Sequence, residues 1–81
     1  MKKYIVHLFD VDNNGSIKSE TEIIKEIFCN TDNEAIEKGE LLRQQRNLKE
    51  PLPENKEWGK VEWLHHVFNT DTDGYADEIL V

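Results

Sequence analysis

The stretch FDVDNNGSI, residues 9–17, decides how this chain is read. As a calcium-binding EF-hand loop it would offer oxygen ligands from Asp10, Asp12 and Asn14, with Gly15 at the sharp turn. As a tight turn it would join two strands and open an antiparallel sheet. A calcium loop closes its shell with a bidentate carboxylate at its twelfth position. Counted from Asp10 that position is Thr21, with Glu20 and Glu22 missing it on either side. An EF-hand is also bracketed by helices, whereas the preceding KYIVHLFDV is β-branched and aromatic and has no helical stripe. Asn-Asn-Gly between such runs signals a hairpin, because Asn and Gly tolerate the positive φ of primed turns. The expectation is a turn, with no metal bound.

Working outward, the first strand spans about residues 3–11, with Tyr4, Val6 and Leu8 on one face and Ile5, His7, Phe9 and Val11 on the other. Both faces carry apolar weight, which suits a central strand. EIIKEIFCN places the second strand at about 20–29; a helix competes there, since Ile23, Ile24 and Ile27 also fit a helical spacing. A helix start just beyond favours the strand, because Thr31 followed by Glu34 forms a capping box. That helix is expected over about 32–48, with Ala35, Gly39 and Leu42 along its buried stripe. KEPLPENKE, residues 49–57, is a linker in which Pro51 and Pro53 bar helix continuation. KVEWLHHVFN, about 60–69, alternates as a third strand; TDTDG is a second turn, and YADEILV, 75–81, is a fourth strand. The predicted fold is a single α+β domain over residues 1–81, in ββαββ order, with one helix packed on one face of a four-stranded antiparallel sheet. One helix covers one face. The other draws on sets such as Ile5, His7, Phe9 or Val61, Trp63, His65, Val67, and an uncovered face with aromatics is a binding surface or a dimer interface.

Eighty-one residues make a thin core. Hydrophobic residues at 37% and charged residues at 33% describe a globular protein, not a disordered tail. No apolar run reaches the roughly 18–20 residues of a membrane span, and MKKYIVHLFDVD lacks the apolar length and cleavage site of a signal peptide. A single cysteine, Cys29, excludes an internal disulfide and suits a reducing cytoplasm. The net charge of −7 repels nucleic acid and anionic membrane, and it speeds approach to a basic protein surface.

Catalytic and metal signals are weak. His7, Cys29, His65 and His66 are the transition-metal donors, but adjacent strand histidines point to opposite faces and no CxxC or HExxH spacing joins them. No orienting or oxyanion element accompanies Cys29, which reads as a small buried apolar residue. The carboxylates sit in turns and at strand ends, where solvated acids are normal. No cofactor and no enzyme activity are expected.

The first half, YIVHLFDVDNNGS through CNTDNEAIEKG, resembles the ββα start of HicB-type antitoxins, whose second strand leads into a Thr-x-x-Glu-Ala-capped helix. As a type, the short, acidic, Asn/Lys/Glu/Ile-rich chain is similar to phage accessory proteins, among them anti-CRISPR and anti-restriction inhibitors. That resemblance implies occupation of a basic nucleic-acid groove or assembly surface, in the manner of a nucleic-acid mimic in the host cytoplasm. The expected function is a non-catalytic inhibitor whose partner is a protein with a basic surface. Asp10, Asp12, Glu20, Glu22, Asp71, Asp73, Asp77 and Glu78 would steer the encounter. Trp63, Phe68 and Tyr75 would anchor it, since buried aromatics dominate interface energy. The competing readings are a HicB-like antitoxin, a homodimer through the uncovered sheet face, and a small metal-dependent enzyme.

Overall fold

The computed structural model describes residues 1–72 and 75–79; at 71, 72 and 75–77 it is the backbone that is described. The chain is α+β, with one helix laid against an antiparallel sheet. Strand β1 (Lys2–Phe9) lies between β2 (Ile23–Cys29) and β3 (Leu64–Thr72). A short segment, β4 (Tyr75–Glu78), pairs antiparallel with the end of β3. The register sets Val6 opposite Lys25 on one side and opposite Val67 on the other.

The turn at 9–17 is a turn. Gly15 takes a φ of +83°, a left-handed value that glycine adopts without strain. The Asp12 carboxylate accepts from the backbone N–H of Asn14 at 2.9 Å and of Ser16 at 3.0 Å, and Val11 bridges to Ile17. The next strand starts later than its apolar pattern suggests. Ser19–Thr21 form a 3-10 turn, in which the Thr21 hydroxyl donates to the Lys18 carbonyl at 2.8 Å and accepts from the Asp10 N–H at 3.3 Å. Serine and threonine side chains compete with strand ladders in this way.

The helix α1 runs Asp32–Lys49. Thr31 caps it, accepting from the Glu34 N–H at 3.2 Å, while Glu34 reaches back to the N–H of Asn30 at 3.0 Å, one residue before the cap. Glu50 closes its far end, and Pro51 follows. The helix presses Ala35 and Gly39 onto the sheet. A Cβ at Gly39 would lie 2.7 Å from Val67 Cγ2 and 3.3 Å from His65 Cδ2, so the missing side chain sets how closely helix and β3 approach.

The third strand is displaced toward the C-terminus relative to the expected 60–69. Asn55 and Gly59 exchange two backbone bonds of 2.7 and 2.8 Å around a tight loop, with Gly59 at a φ of +79°. Trp63 then belongs to the helix end, not to the strand. Its backbone N–H donates to Asn47 Oδ1 at 2.7 Å and its indole N–H to the Glu50 carbonyl at 2.8 Å. At the other end β3 takes in Thr70–Thr72, which the sequence marks as turn, and Thr70 donates its hydroxyl to the Lys3 carbonyl at 2.8 Å. The β1 ladder itself ends at Asn69, and beyond it Thr72 pairs with Tyr75. Of the second predicted turn, Asp73 and Gly74 lie outside the described residues, as do Leu80 and Val81 of the last predicted strand.

The core is Tyr4, Val6, Leu8, Cys29, Ala35, Trp63 and Val67, with Ile23, Ile27, Leu42, Leu52 and Ile79 packed against it. Tyr4 donates its hydroxyl to Asp32 Oδ1 at 2.6 Å, tying β1 to the first turn of the helix.

Candidate binding surface

Because side chains alternate along a strand, burying Tyr4, Val6 and Leu8 under α1 sends Ile5, His7 and Phe9 to the opposite face. The ladders bring matching residues alongside them: Ile24 opposite His7, Phe28 opposite Lys3, Leu64 opposite Phe9, His66 opposite His7, and Phe68 opposite Ile5. The result is an aromatic and aliphatic face with no helix over it. Its centre is packed upon itself. The Phe9 ring lies 4.6 Å from that of His66 and 5.0 Å from that of His7, and Phe68 meets His66 edge-on at 6.0 Å. Its flanks are open, with Ile24 65%, Phe28 52% and Leu64 42% exposed.

Acids frame this face. Glu22 approaches His7 Nε2 at 3.7 Å, Glu78 approaches His66 Nε2 at 3.6 Å, and Glu26 pairs with Lys3 at 3.0 Å. The Nε2 of His7 is buried and has no hydrogen-bond partner among the described residues.

The expected site residues are only partly brought together. Glu22, Phe68 and Glu78 fall on this face. Glu20 is exposed on the 3-10 turn, and the Asp12 carboxylate is engaged in its own turn. Asp10 is no surface acid: it is 4% exposed and holds Lys18 Nζ at 3.0 Å and the Val11 N–H at 2.8 Å. A carboxylate buried at a strand end is stable only when so paired, which removes Asp10 from the docking set. Trp63 is corrected likewise. At 5% exposure, with Arg46 5.1 Å above its ring, it is core and not an anchor. Val67 and His65 of β3, at the same alternation as Trp63, also face the helix. Asp71, Tyr75 and Asp77 lie on β3 and β4, and Asp73 lies outside the described residues. Ile24, Phe28 and Leu64 were not singled out from sequence. Their signal is faint: Ile24 and Phe28 are four positions apart in β2 with Glu26 between them, and Leu64 opens a strand whose other face is also apolar.

The helix-side electrostatics contrast with this face. Burial pushes the His65 imidazole below its ordinary pKa, with Glu40, 3.8 Å away, opposing the shift. The hydrogen bond from Arg43 holds Glu40 below the usual carboxylate value, and the same bond raises Arg43. Arg43 also lines a groove of about 510 Å³ between α1 and the 51–62 connector, where Glu40 and Glu62 neutralise it. Cys29 is fully buried. Among the described residues no group of three or more His, Cys, Asp or Glu is placed to hold a metal, and no helix is long and apolar enough to cross a membrane. No family model, no curated protein and no solved structure matches this chain.

Proposed function

We propose that this chain is a non-catalytic acidic binding protein, an inhibitor of anti-CRISPR-like type that docks on the basic nucleic-acid-binding or assembly surface of a defence or nucleic-acid enzyme in the cytoplasm. One observation carries the reading: an uncovered sheet face, apolar at its centre and bordered by Glu22, Glu26 and Glu78, on a chain of net charge −7. Apolar area supplies affinity when desolvated, while acids at its border steer association and select a cationic partner. The architecture that goes with this reading is ββαββ, in which Tyr75–Glu78 completes a four-stranded sheet and carries Glu78 to its far border. The open face also favours a second reading, a homodimer, in which the same apolar surface is buried against a copy of itself.

The test is recovery of partners from the native host on the immobilised chain, at low and at physiological salt, with and without competing nucleic acid. A nucleic-acid-handling protein should be recovered, released by nucleic acid, and associate more slowly as salt rises. Recovery of the chain alone supports the homodimer, recovery of a small basic toxin supports the HicB-like antitoxin, and binding indifferent to nucleic acid sinks the inhibitor reading.

A further inference from the structure

We infer that the open sheet face is a docking site for a basic amphipathic helix about three turns long. The inference rests on the binding-protein reading and names what docks. Its argument is one of dimensions and charge. Along β2 the exposed Ile24 and Phe28 span four residue steps, about 14 Å at strand rise. A helix of about ten residues covers that length. Across the strands, Glu26 on β2 and Glu78 on β4 stand three strand spacings apart, about 14 Å. A helix with its side chains is roughly 10–12 Å wide, so lysine or arginine on both of its flanks would reach both acidic borders while an apolar stripe meets the rings between them.

The chain shows on its other side how such a sheet takes a helix, since α1 already covers Tyr4, Val6 and Val67. The acids are also available. Glu22 and Glu78 face imidazoles at 3.7 and 3.6 Å, beyond hydrogen-bond length, and Glu26 shares an exposed ion pair with Lys3. A lysine or arginine can reach these carboxylates at full hydrogen-bond distance, which the imidazoles do not. A second copy of this chain fits less well, because face-to-face packing would set these acidic borders against one another.

The test uses the isotopically labelled full chain and a synthetic peptide of about fourteen residues, with leucines at helical spacing and lysine or arginine on both flanks. Saturable amide shifts should appear at Ile24, Phe28, His66 and Phe68. A peptide of the same apolar stripe with glutamate flanks should produce none. Affinity should fall about tenfold or more in the Ile24→Ser/Phe28→Ser double variant, as expected of central apolar contacts, and should also fall in Glu22→Lys/Glu78→Lys. The serine changes fall at exposed positions, so a retained amide spectrum separates lost docking from lost folding. Shifts confined to residues 12–20 or to α1, or unchanged affinity in the double variant, overturn the proposal. So does a dimer of the free chain in sedimentation that the same double variant disperses, since a copy then occupies the face. If the peptide docks here but the host yields no nucleic-acid-handling partner, the inhibitor reading fails and the helix site stands. If such a partner is recovered and the double variant still holds it, the reverse is true.

Discussion

The two faces of one sheet have nearly the same raw material and different fates. Under the helix, Tyr4, Val6, Leu8 and Val67 are closed off from solvent, and the only titratable imidazole there, His65, has its pKa pushed down by burial. On the other side Ile5, Phe9, Phe68 and two histidines make a comparably apolar array, yet Ile24 and Phe28 stay more than half exposed. The covered face spends its apolar area on folding; the open face leaves part of its own for association. In a domain this small the covered face must supply most of the stability, so changes there should be costly and changes opposite should be tolerated.

The sharpest way to break that contrast is Trp63→Ala. It empties a buried ring site and removes the bond from the indole to the Glu50 carbonyl, so denaturant unfolding should show a loss of about 3–5 kcal/mol. A loss under about 1 kcal/mol would return Trp63 to the surface role that its sequence context suggests. Next in size is Gly39→Ala. In an exposed helix this change gains up to about 1 kcal/mol, but here the added methyl meets Val67 at 2.7 Å. Overpacking against a buried side chain should instead cost about 1–3 kcal/mol. A stabilised variant would mean that the helix rides higher on β3 than described.

Acidification probes the covered face more gently. His65 has a folded pKa below its ordinary value of 6.5, so the unfolded chain binds the proton more readily. Its contribution to stability is complete above about pH 6.5 and is lost as pH falls toward the lowered folded pKa. Thermal unfolding compared at about pH 7.5 and about pH 5.5 should show a smaller acid-induced drop in Tm for His65→Leu than for the native chain; equal drops would place His65 in solvent. The smallest expected effect lies on the open face. Ile24→Ser and Phe28→Ser should each change unfolding free energy by about 1 kcal/mol or less, and a cost like that of Trp63→Ala would show that this face is folded core.

Much of this was readable from residues alone, because local chemistry is enough to set element ends. Thr31 and Glu34 start the helix and Pro51 stops it, whatever packs around them. Asn14-Gly15 turns the chain, and Gly15 takes the positive φ that this turn requires. Alternation along residues 4–8 separates two faces of β1, and the single cysteine is buried as its residue type suggests. Each of these rests on neighbours within a few positions.

Which face meets the helix is not a local property. Over residues 63–68 both alternations are apolar, Trp63, His65 and Val67 against Leu64, His66 and Phe68, so a period of two cannot choose between them. The choice comes from long-range partners: Asn47 and Glu50 hold Trp63 at the helix end, and Gly39 lets the helix settle on Val67. The same holds for Asp10, an acid beside a turn that becomes buried because Lys18 folds back to neutralise it. By itself the sequence determined the first turn, where the helix begins and ends, and that β1 has two apolar sides. Tertiary structure alone decided which side is closed, because that depends on contacts between residues far apart in the chain, whose free energies no local pattern records.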